Sequence, residues 1–154
     1  VSGMSEFKPF EEKLKGLLDA MSPSTRRRLA VDIAKRLRQS QQQRIKSQKT
    51  PDGTAYAPRK PQSIREKKGR VKREMFAKLR TARYMKASGN DSAAVVEFTG
   101  KVQRIARVHQ YGLKEKPGRA TREVHYPKRV LLGFDKHNKR DIENIILDVL
   151  KKAE

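Results

Sequence analysis

The sequence predicts an α+β protein in which a small antiparallel sheet is flanked by a long N-terminal helical hairpin and a C-terminal helix. Three observations indicate this arrangement. Apolar residues recur at spacings of three and four in both terminal regions, which is the period of an amphipathic helix. Between these regions the period shortens, and two runs typical of strands flank a turn-forming segment. Helices and strands separated along the chain in this way are typical of the α+β class.

The N-terminal region predicts two helices in succession. Residues 7–20 form the first, and Ser22-Pro23 then restarts the chain, because serine caps helices and proline fits the first helical position. The second helix is predicted to run to about Gln48. Its apolar stripe falls at multiples of four and is widened by two alanines: Leu29, Ile33, Leu37 and Ile45, with Ala30 and Ala34. Basic residues cover its remaining faces: Arg27, Arg28, Lys35, Arg36, Arg38 and Arg44.

A turn is predicted where the second helix ends. Pro51 disfavours helix at the residue before it, Asp52 can bond the backbone, and Gly53 accepts a positive φ. Pro58 and Pro61 are expected to keep the following residues extended.

A short helix and a hairpin are predicted next. The short helix is expected around Lys72–Leu79. Thr81–Ala87 and Ala93–Phe98 are expected to be strands, because Ser88–Ser92 between them is a strong hairpin signal.

The last third of the chain predicts two more helices around a loop-rich segment. Lys101–Tyr111 is expected to be helical with Gly112 as its C-terminal stop, and its aligned side chains are Val102, Ile105, Ala106 and His109. Lys114–Arg122 is expected to be a charged loop, and Glu123–Phe134 has interrupted strand character. A terminal helix follows from the spacing of Ile142, Ile145, Ile146, Val149 and Leu150, with Asp135 or Asn138 as its cap.

Composition limits the functions that the chain can have. Its 154 residues are the length of one domain. We expect residues 1–3 to be a vector-derived remnant and Met4 to be the natural start. Residues 4–154 are predicted to form a single domain. The absence of cysteine excludes disulfides and cysteine-based metal or redox sites. No apolar run approaches the roughly 20 residues that span a bilayer. The formal net charge of +21 favours polyanionic partners.

Much of this charge lies in one segment, Arg59–Arg83, which we call the basic arm. It holds eleven basic residues against Glu66 and Glu74, a net charge of +9. One interpretation is a solvated loop that stays mobile until a partner orders it, and the other is an arm that binds phosphate or a partner. The two are compatible. The residues predicted to contact another subunit or partner are Arg65, Lys67, Lys68, Arg70, Lys72 and Arg73.

The residues give no indication of catalysis, a metal site or a cofactor site. His109, His125 and His137 are far apart in sequence and lack paired-ligand spacing, and no nucleotide-binding or nucleophile-elbow motif occurs. Asp135 and His137 together would supply too few ligands for a catalytic zinc site. His109 is predicted to be a packed or hydrogen-bonded structural residue, since a general base needs a nucleophile within reach.

The charge suits nucleic acid, but a means of reading sequence is missing. Phe76 is the only aromatic residue in the basic arm, so bases have little to stack on. The sequence contains no zinc finger, basic zipper or RNP-like strand. We therefore expect at most non-specific phosphate contact, from the basic face of the second helix: Arg28, Lys35, Arg36 and Arg38. Membrane binding is not expected, because the apolar stripe of that helix is what a packed core requires.

Four sequence blocks, in order, resemble the tail completion protein S family of tailed phages, also called the phage virion morphogenesis proteins. The blocks run from Arg27 to Ile45, from Pro51 to Pro58, from Ile105 to Gly112 and from Tyr126 to Phe134. With their flanks they span most of the chain from Met21 to Phe134.

The resemblance implies a structural protein that completes the phage tail and prepares it for joining to the head. Such a protein would act by assembly at the tail end or neck of the virion, after a period in the host cytoplasm, with other tail and head-closure proteins as partners. A ring is the implied working form, a hexamer because the tail is six-fold. Structural roles are expected for Pro51, Asp52, Gly53, His109, Gly112, Arg129, Leu132 and Gly133. The alternative is a basic protein that binds nucleic acid through its phosphate backbone without sequence preference.

Overall fold

A computed structural model of the chain describes residues 8–59, 74–116 and 122–152. The helices in this part of the chain are α1 (Lys8–Asp19), α2 (Pro23–Lys46), α3 (Gln103–Tyr111, preceded by the 3-10 turn Gly100–Val102) and α4 (Lys136–Lys152). The strands are β1 (Met85–Gly89), β2 (Ala94–Phe98), β3 (Lys114–Glu115) and β4 (Val124–His125). The predicted α+β class is confirmed. The strands form two separate two-stranded sheets, β1 with β2 and β3 antiparallel to β4.

The described residues fall into two compact units. Unit 1 draws on residues 8–38, 87–96 and 134–152, and unit 2 on residues 39–59, 74–86, 97–116 and 122–133. The helix α2 and the hairpin strands β1 and β2 each contribute residues to both. The predicted single domain stays a prediction.

Unit 1 is built on an apolar cluster between α2 and α4. Leu29 and Ile33 of α2 and Ile142 and Ile146 of α4 are its buried members. Half-buried residues surround them, among them Leu14, Leu17, Leu18, Met21, Leu37, Ala94, Phe134, Ile145, Val149 and Leu150. The cluster includes all five residues from which the terminal helix was predicted, and Leu29, Ile33 and Leu37 from the stripe of the second helix.

Side-chain caps define where α2 and α4 begin. The backbone N–H of Thr25 donates to Ser22 Oγ at 3.3 Å, as predicted for the cap of α2. Asp135 caps α4, because its Oδ1 accepts from the Asn138 N–H at 2.9 Å. Asn138 returns the interaction by accepting from the Asp135 N–H at 3.0 Å, so the two predicted cap candidates form one reciprocal pair.

Unit 2 buries apolar residues from the C-terminal part of α2, from α3, from one end of each of β1 and β2, and from several turns. Its buried apolar residues are Ile45, Tyr56, Leu79, Met85, Phe98, Ala106, Val108 and Leu131. The predicted helix around Lys72–Leu79 is wrong over its described residues. Residues 75–80 form turns, because Phe76 has a φ of 66°, which interrupts a right-handed helix.

Two other boundaries differ from the prediction. The first strand begins at Met85 rather than Thr81, because the Tyr84 and Met85 N–H groups both donate to Thr81 O in a turn, at 3.1 and 2.9 Å. Of the interrupted strand over Glu123–Phe134, only Val124–His125 forms a ladder, opposite Lys114–Glu115.

Candidate functional site

The backbone of residues 131–133 is held by side chains that come from two helices of unit 2. Gln110 of α3 binds it most fully. Its Oε1 accepts from the Leu131 and Leu132 N–H groups at 2.8 and 3.0 Å, and its Nε2 donates to Leu132 O at 2.9 Å. One primary amide therefore satisfies three backbone groups of a segment that has no strand partner of its own.

The C-terminal part of α2 holds the same segment from Gln41 and Arg44. Gln41 is 4% exposed, and its Oε1 accepts from the Gly133 N–H at 3.0 Å. Arg44 Nη2 donates to this same oxygen and to the carbonyls of Leu131 and Gly133, at 3.4 and 3.3 Å for the carbonyls. We call Gln41, Arg44, Gln110 and the backbone of residues 131–133 the polar latch.

Gly133 is required at its position by a close approach. A side chain built there would overlap the ring of Pro51, which packs directly on the backbone. The turn after α2 and the polar latch therefore depend on each other: the turn places Pro51, and only glycine can lie against it.

The turn itself is the one predicted. The Gly53 N–H donates to Thr50 O at 2.9 Å, and Asp52 Oδ1 accepts from the Thr54 N–H at 2.9 Å and from the Thr50 hydroxyl. These hydrogen bonds from Thr50 and Thr54 lower the pKa of Asp52 to about 2, so the carboxylate stays charged.

The N-terminal flank of the basic arm is bound by Arg129. Its guanidinium donates from Nε to Ala57 O at 2.8 Å and from Nη2 to Pro58 O at 3.1 Å, and the residue is 5% exposed. Burial lowers the pKa of Arg129, and the charge of Arg59 lowers it further. The backbone of Arg129 is also bound, since its N–H donates to His109 O at 2.8 Å.

The C-terminal part of the basic arm is bound by Gln48. Its side-chain amide pairs with both backbone groups of Met75: Nε2 donates to Met75 O at 2.9 Å, and Oε1 accepts from the Met75 N–H at 3.1 Å. The carbonyl of Gln48 accepts from the Tyr56 N–H at 2.8 Å. One residue thus binds the chain just before the basic arm and again within its C-terminal part, so these two points lie close together.

An aromatic cluster packs between these two flanks. The rings of Tyr56, Phe76, His109 and Tyr126 meet edge to face in that order, with centroid separations of 5.6, 4.8 and 5.0 Å. Tyr56 Oη donates to Val130 O at 3.2 Å, and burial raises the pKa of Tyr56 to about 12. The cluster and this hydrogen bond therefore join Val130, which precedes the backbone of the polar latch, to residues on both sides of the undescribed part of the basic arm.

His109 lies in the middle of this cluster and is held neutral. Burial, and then the charge of Arg129, lower its pKa to about 4. Its Nδ1 is buried without a hydrogen-bond partner among the described residues. No nucleophile of the described chain is hydrogen-bonded to it, so its observed contacts are packing contacts.

Gly112 follows α3 in the left-handed conformation, with a φ of 64°, and its N–H donates to Val108 O. A Cβ at this position would lie 2.9 Å from the backbone nitrogen of Lys128. The carbonyl of Gly112 lies 3.0 Å from His125 Nε2. Both the conformation and the close approach require glycine, and they fix how the chain leaves α3.

The two sets of charged residues predicted to contact partners fall differently in the structure. The arm residues, Arg65 to Arg73, lie outside the described residues. On α2, Arg28, Lys35 and Arg36 are exposed and Arg38 is half-buried. Arg36 Nε forms an ion pair with Asp141 of α4 at 3.2 Å, so its charge is partly compensated.

The polar latch was not predicted, although one sequence signal indicates it. Gln41 falls at the four-residue spacing of the α2 stripe, between Leu37 and Ile45, and a polar residue there is a candidate for a buried hydrogen bond. Arg44 was assigned to the basic face, and the structure corrects this, because its side chain is half-buried on the latch carbonyls. Nothing in the local pattern distinguishes Gln110 or Gln48 from surface glutamines.

Neither a metal-binding group nor a membrane-spanning helix occurs among the described residues. Across residues 8–59, 74–116 and 122–152, no group of three or more His, Cys, Asp or Glu is placed to hold a metal ion. None of the helices described is both long enough and apolar enough to cross a membrane. The buried and half-buried polar side chains described above hydrogen-bond loop backbone to residues in or next to helices.

Comparison with known proteins identifies the family. The model of the phage virion morphogenesis family matches residues 5–151. The chain is 52% identical to "Tail completion protein S" of Escherichia phage P2 over 150 residues, which is 97% of this chain and 100% of that protein. No solved structure matches significantly. The four resembling blocks supply Arg44, Pro51, Gln110 and Gly133, which meet in and around the polar latch. The chain belongs to the phage virion morphogenesis family.

Proposed function

We propose that the chain completes the phage tail and prepares it for joining to the DNA-filled head, acting by assembly at the tail end or neck. The observation that carries the proposal is its 52% identity to a tail completion protein across the whole length of that relative. The protein would be in the host cytoplasm during assembly and in the virion afterwards. Other tail and head-closure proteins are its proposed partners.

The use of polar side chains in unit 2 supports assembly rather than catalysis. Gln41, Gln48, Gln110 and Arg129 all bind backbone groups, and His109 is packed between aromatic rings. These residues order the loops that flank the basic arm. An assembly protein needs rigid, correctly placed surface segments, because a flexible contact loses free energy when a partner orders it.

We further propose a working form in which residues 4–154 act as one domain and six copies form a ring through the basic arm. Rings require heterologous contacts, in which two different patches of each subunit meet. Arg65, Lys67, Lys68, Arg70, Lys72 and Arg73 would supply one patch. The hydrogen bonds of Arg129 to Ala57 and Pro58 and of Gln48 to Met75 support this proposal, because they hold the chain on either side of the six basic residues.

Disruption of the gene in the phage that encodes the chain tests the main proposal. Lysates should contain filled heads and separate tails, seen by electron microscopy and by sedimentation, and few infectious particles. Purified protein added to the lysate should restore joined particles. Joined, infectious particles in normal number without the protein would refute a role in completing the tail.

Deletion of Arg65–Arg73 tests the basic arm. Because both flanks are anchored by residues outside the deletion, a short Gly-Ser bridge should leave the protein folded, as measured by circular dichroism. The variant should fail to form rings or to restore joined particles. The matched control keeps the length and replaces the six basic residues with glutamine, which separates the role of charge from that of chain length. Normal assembly by both variants would remove the arm from the mechanism.

Non-specific DNA contact is a second candidate, and the exposed Arg28 and Lys35 of α2 favour it. If these residues bind phosphate, the logarithm of affinity should fall linearly with the logarithm of salt concentration, with a slope of about 0.9 per phosphate neutralised on duplex DNA. Replacing both by Gln should flatten the slope for every sequence alike. Replacing Arg36, which pairs with Asp141, should have less effect. Binding of one duplex at least about a thousand-fold more tightly than others would contradict non-specific contact.

A further inference from the structure

Two residues other than glycine have a left-handed backbone in the described part of the chain, and both concern the C-terminal part of the basic arm. Gln48 has a φ of 60° and Phe76 a φ of 66°. This conformation is unfavourable for residues with a Cβ, and it persists only where the surrounding contacts hold it. Gln48 binds Met75, the residue before Phe76, so the two strained positions lie close together. We call Gln48, Met75 and Phe76 the Gln48 clasp.

Gln48 takes a position at which glycine is the usual residue. It follows α2 in a Schellman arrangement: its N–H donates to Ile45 O at 2.9 Å, and the Lys49 N–H donates to Arg44 O at 3.4 Å. A glycine there would end α2 without strain. What glutamine adds is the side-chain amide that pairs with both backbone groups of Met75. The clasp is therefore held against the backbone preference of Gln48.

The segment that the clasp holds has a sequence that favours helix. From Glu74 to Arg80, six of the seven residues are types with high helix propensity, and none is a glycine, proline, asparagine, aspartate or serine, the usual residues of turns. Residues 75–80 nevertheless form turns. Such a conflict between local preference and observed structure is typical of strained or functional segments.

The turn and a helix would use the carbonyl of Met75 in different ways. In a helix it would accept from the Leu79 N–H, four residues later. In the structure it accepts from Gln48 Nε2 at 2.9 Å. The next hydrogen bond of the same helical ladder is already formed, since the Arg80 N–H donates to Phe76 O at 3.1 Å. A change of sign in the φ of Phe76 would let this single turn extend towards the arm.

Two further contacts belong to the turn rather than to a helix. Glu74 forms an ion pair with Arg80 at 2.7 Å, across six residues. Helical neighbours are three or four residues apart, so a helix would place Glu74 beside Lys78 instead. The Phe76 ring packs within the aromatic cluster while its backbone is left-handed, and reversing its φ would redirect the ring.

We propose that residues 74–80 are a two-state switch. The Gln48 clasp holds them as turns in the free protein, and they become helical when the basic arm engages its partner. A partner that binds the helical form more tightly shifts the equilibrium by its difference in affinity for the two forms. The clasp therefore opposes engagement of the arm until the partner is present. This proposal rests on the proposed function and describes the regulation of the same arm.

Nuclear magnetic resonance of the full chain tests the switch. Gln48→Gly removes the amide and keeps a residue that ends α2 in the left-handed conformation. The ¹³Cα chemical shifts of residues 74–79 should move to helical values, and the Leu79 N–H should become protected from hydrogen exchange. The matched control is Gln42→Ala, which removes a hydrogen bond of 2.9 Å to Arg80 O but leaves Met75 O bound, and it should keep the turns.

A measurement on the wild type covers the case in which Gln48→Gly does not fold. Saturation-transfer experiments detect minor states that exchange in microseconds to milliseconds. They should show a minor state with helical shifts at residues 75–79. Its absence would then refute the switch.

Restoration of joined particles tests the link to the basic arm. Each variant is titrated into the lysate of the phage whose gene is disrupted. Gln48→Gly should restore particles at a roughly tenfold lower concentration than wild type, because a competent state populated at about 10% raises the apparent dissociation constant about tenfold. Gln42→Ala should act at the wild-type concentration.

The possible failures are distinguishable. Turns retained in Gln48→Gly, or helix gained equally in Gln42→Ala, would refute the switch. A helical Gln48→Gly that needs the wild-type concentration or more would refute its link to the arm. Joined particles that form without the protein would refute the proposed function alone, because the resonance measurements do not depend on that function.

Discussion

The polar latch makes a quantitative prediction for Gln110→Ala. The substitution removes three hydrogen bonds to the backbone of Leu131 and Leu132 and keeps a good helix former in α3. A net contribution of about 0.5–1.5 kcal/mol for each of the three bonds gives a loss of about 1.5–4.5 kcal/mol in the free energy of unfolding. For a chain of this size the midpoint of thermal unfolding should fall by roughly 3–18 °C.

Two further variants separate hydrogen bonding from other effects. Gln110→Glu keeps the two acceptor interactions but places a carboxylate oxygen against Leu132 O, so it should lose about 1–2 kcal/mol, between wild type and Gln110→Ala. Gln43→Ala, on an exposed face of α2, should change stability by no more than about 0.5 kcal/mol.

Urea unfolding followed by far-ultraviolet circular dichroism measures these differences, and the slope m should be unchanged. If Gln110→Ala unfolded at the same urea concentration as Gln43→Ala, the latch would contribute nothing to stability and the reasoning would be refuted.

Three other predictions test particular contacts. The pKa of His109 is lowered from its ordinary value of 6.5 to about 4 in the folded protein. Between these two pH values the unfolded chain binds more protons than the folded one, so stability should fall as pH drops from 6.5 towards 4. Removing the imidazole should flatten this dependence. Ile146→Asp, at a site 1% exposed, should unfold or aggregate the protein in a solubility and melting assay, whereas Lys152→Asp at the exposed helix end should melt like wild type. Gly112→Ala should cost about 1–2 kcal/mol or more in a denaturant titration, because Gly112 has a positive φ and lies against the backbone of Lys128. Gly16→Ala, with open space around it in α1, should instead stabilise the protein by about 0.5–1 kcal/mol. Equal effects of the two substitutions would contradict this account.

The helices could be predicted because their signals are local. Spacing of apolar residues indicated α1, α2 and α4 within a few residues of their observed bounds, and the Ser22 and Asp135 caps follow from their side-chain chemistry. The hairpin turn was likewise predictable: Asn90 Oδ1 accepts from the Ser92 and Ala93 N–H groups, as residues of this type do in turns.

What could not be predicted depends on contacts distant in sequence. Phe76 adopts a positive φ in a segment whose pattern suggested a helix, while its ring packs on Tyr56 and His109. Gln48 looks like a surface residue in the sequence, and a structural role for Arg129 was expected only from the family resemblance. The loop carbonyls that both residues bind could not be predicted, because they come from distant parts of the chain. The candidate site is therefore tertiary in origin, even though its sequence blocks identified the family.

Immunogold labelling of purified tails tests the central claim most directly. Tails are taken from a lysate in which head formation is blocked, so that their ends are free, and are labelled with antibody against this chain. If the chain completes the tail by assembly, label should appear at one end of each tail only, and quantitative mass spectrometry should give a number of copies per tail that is a multiple of six. Label spread along the tube, or tails without the chain that still join to heads when these are supplied, would contradict the account.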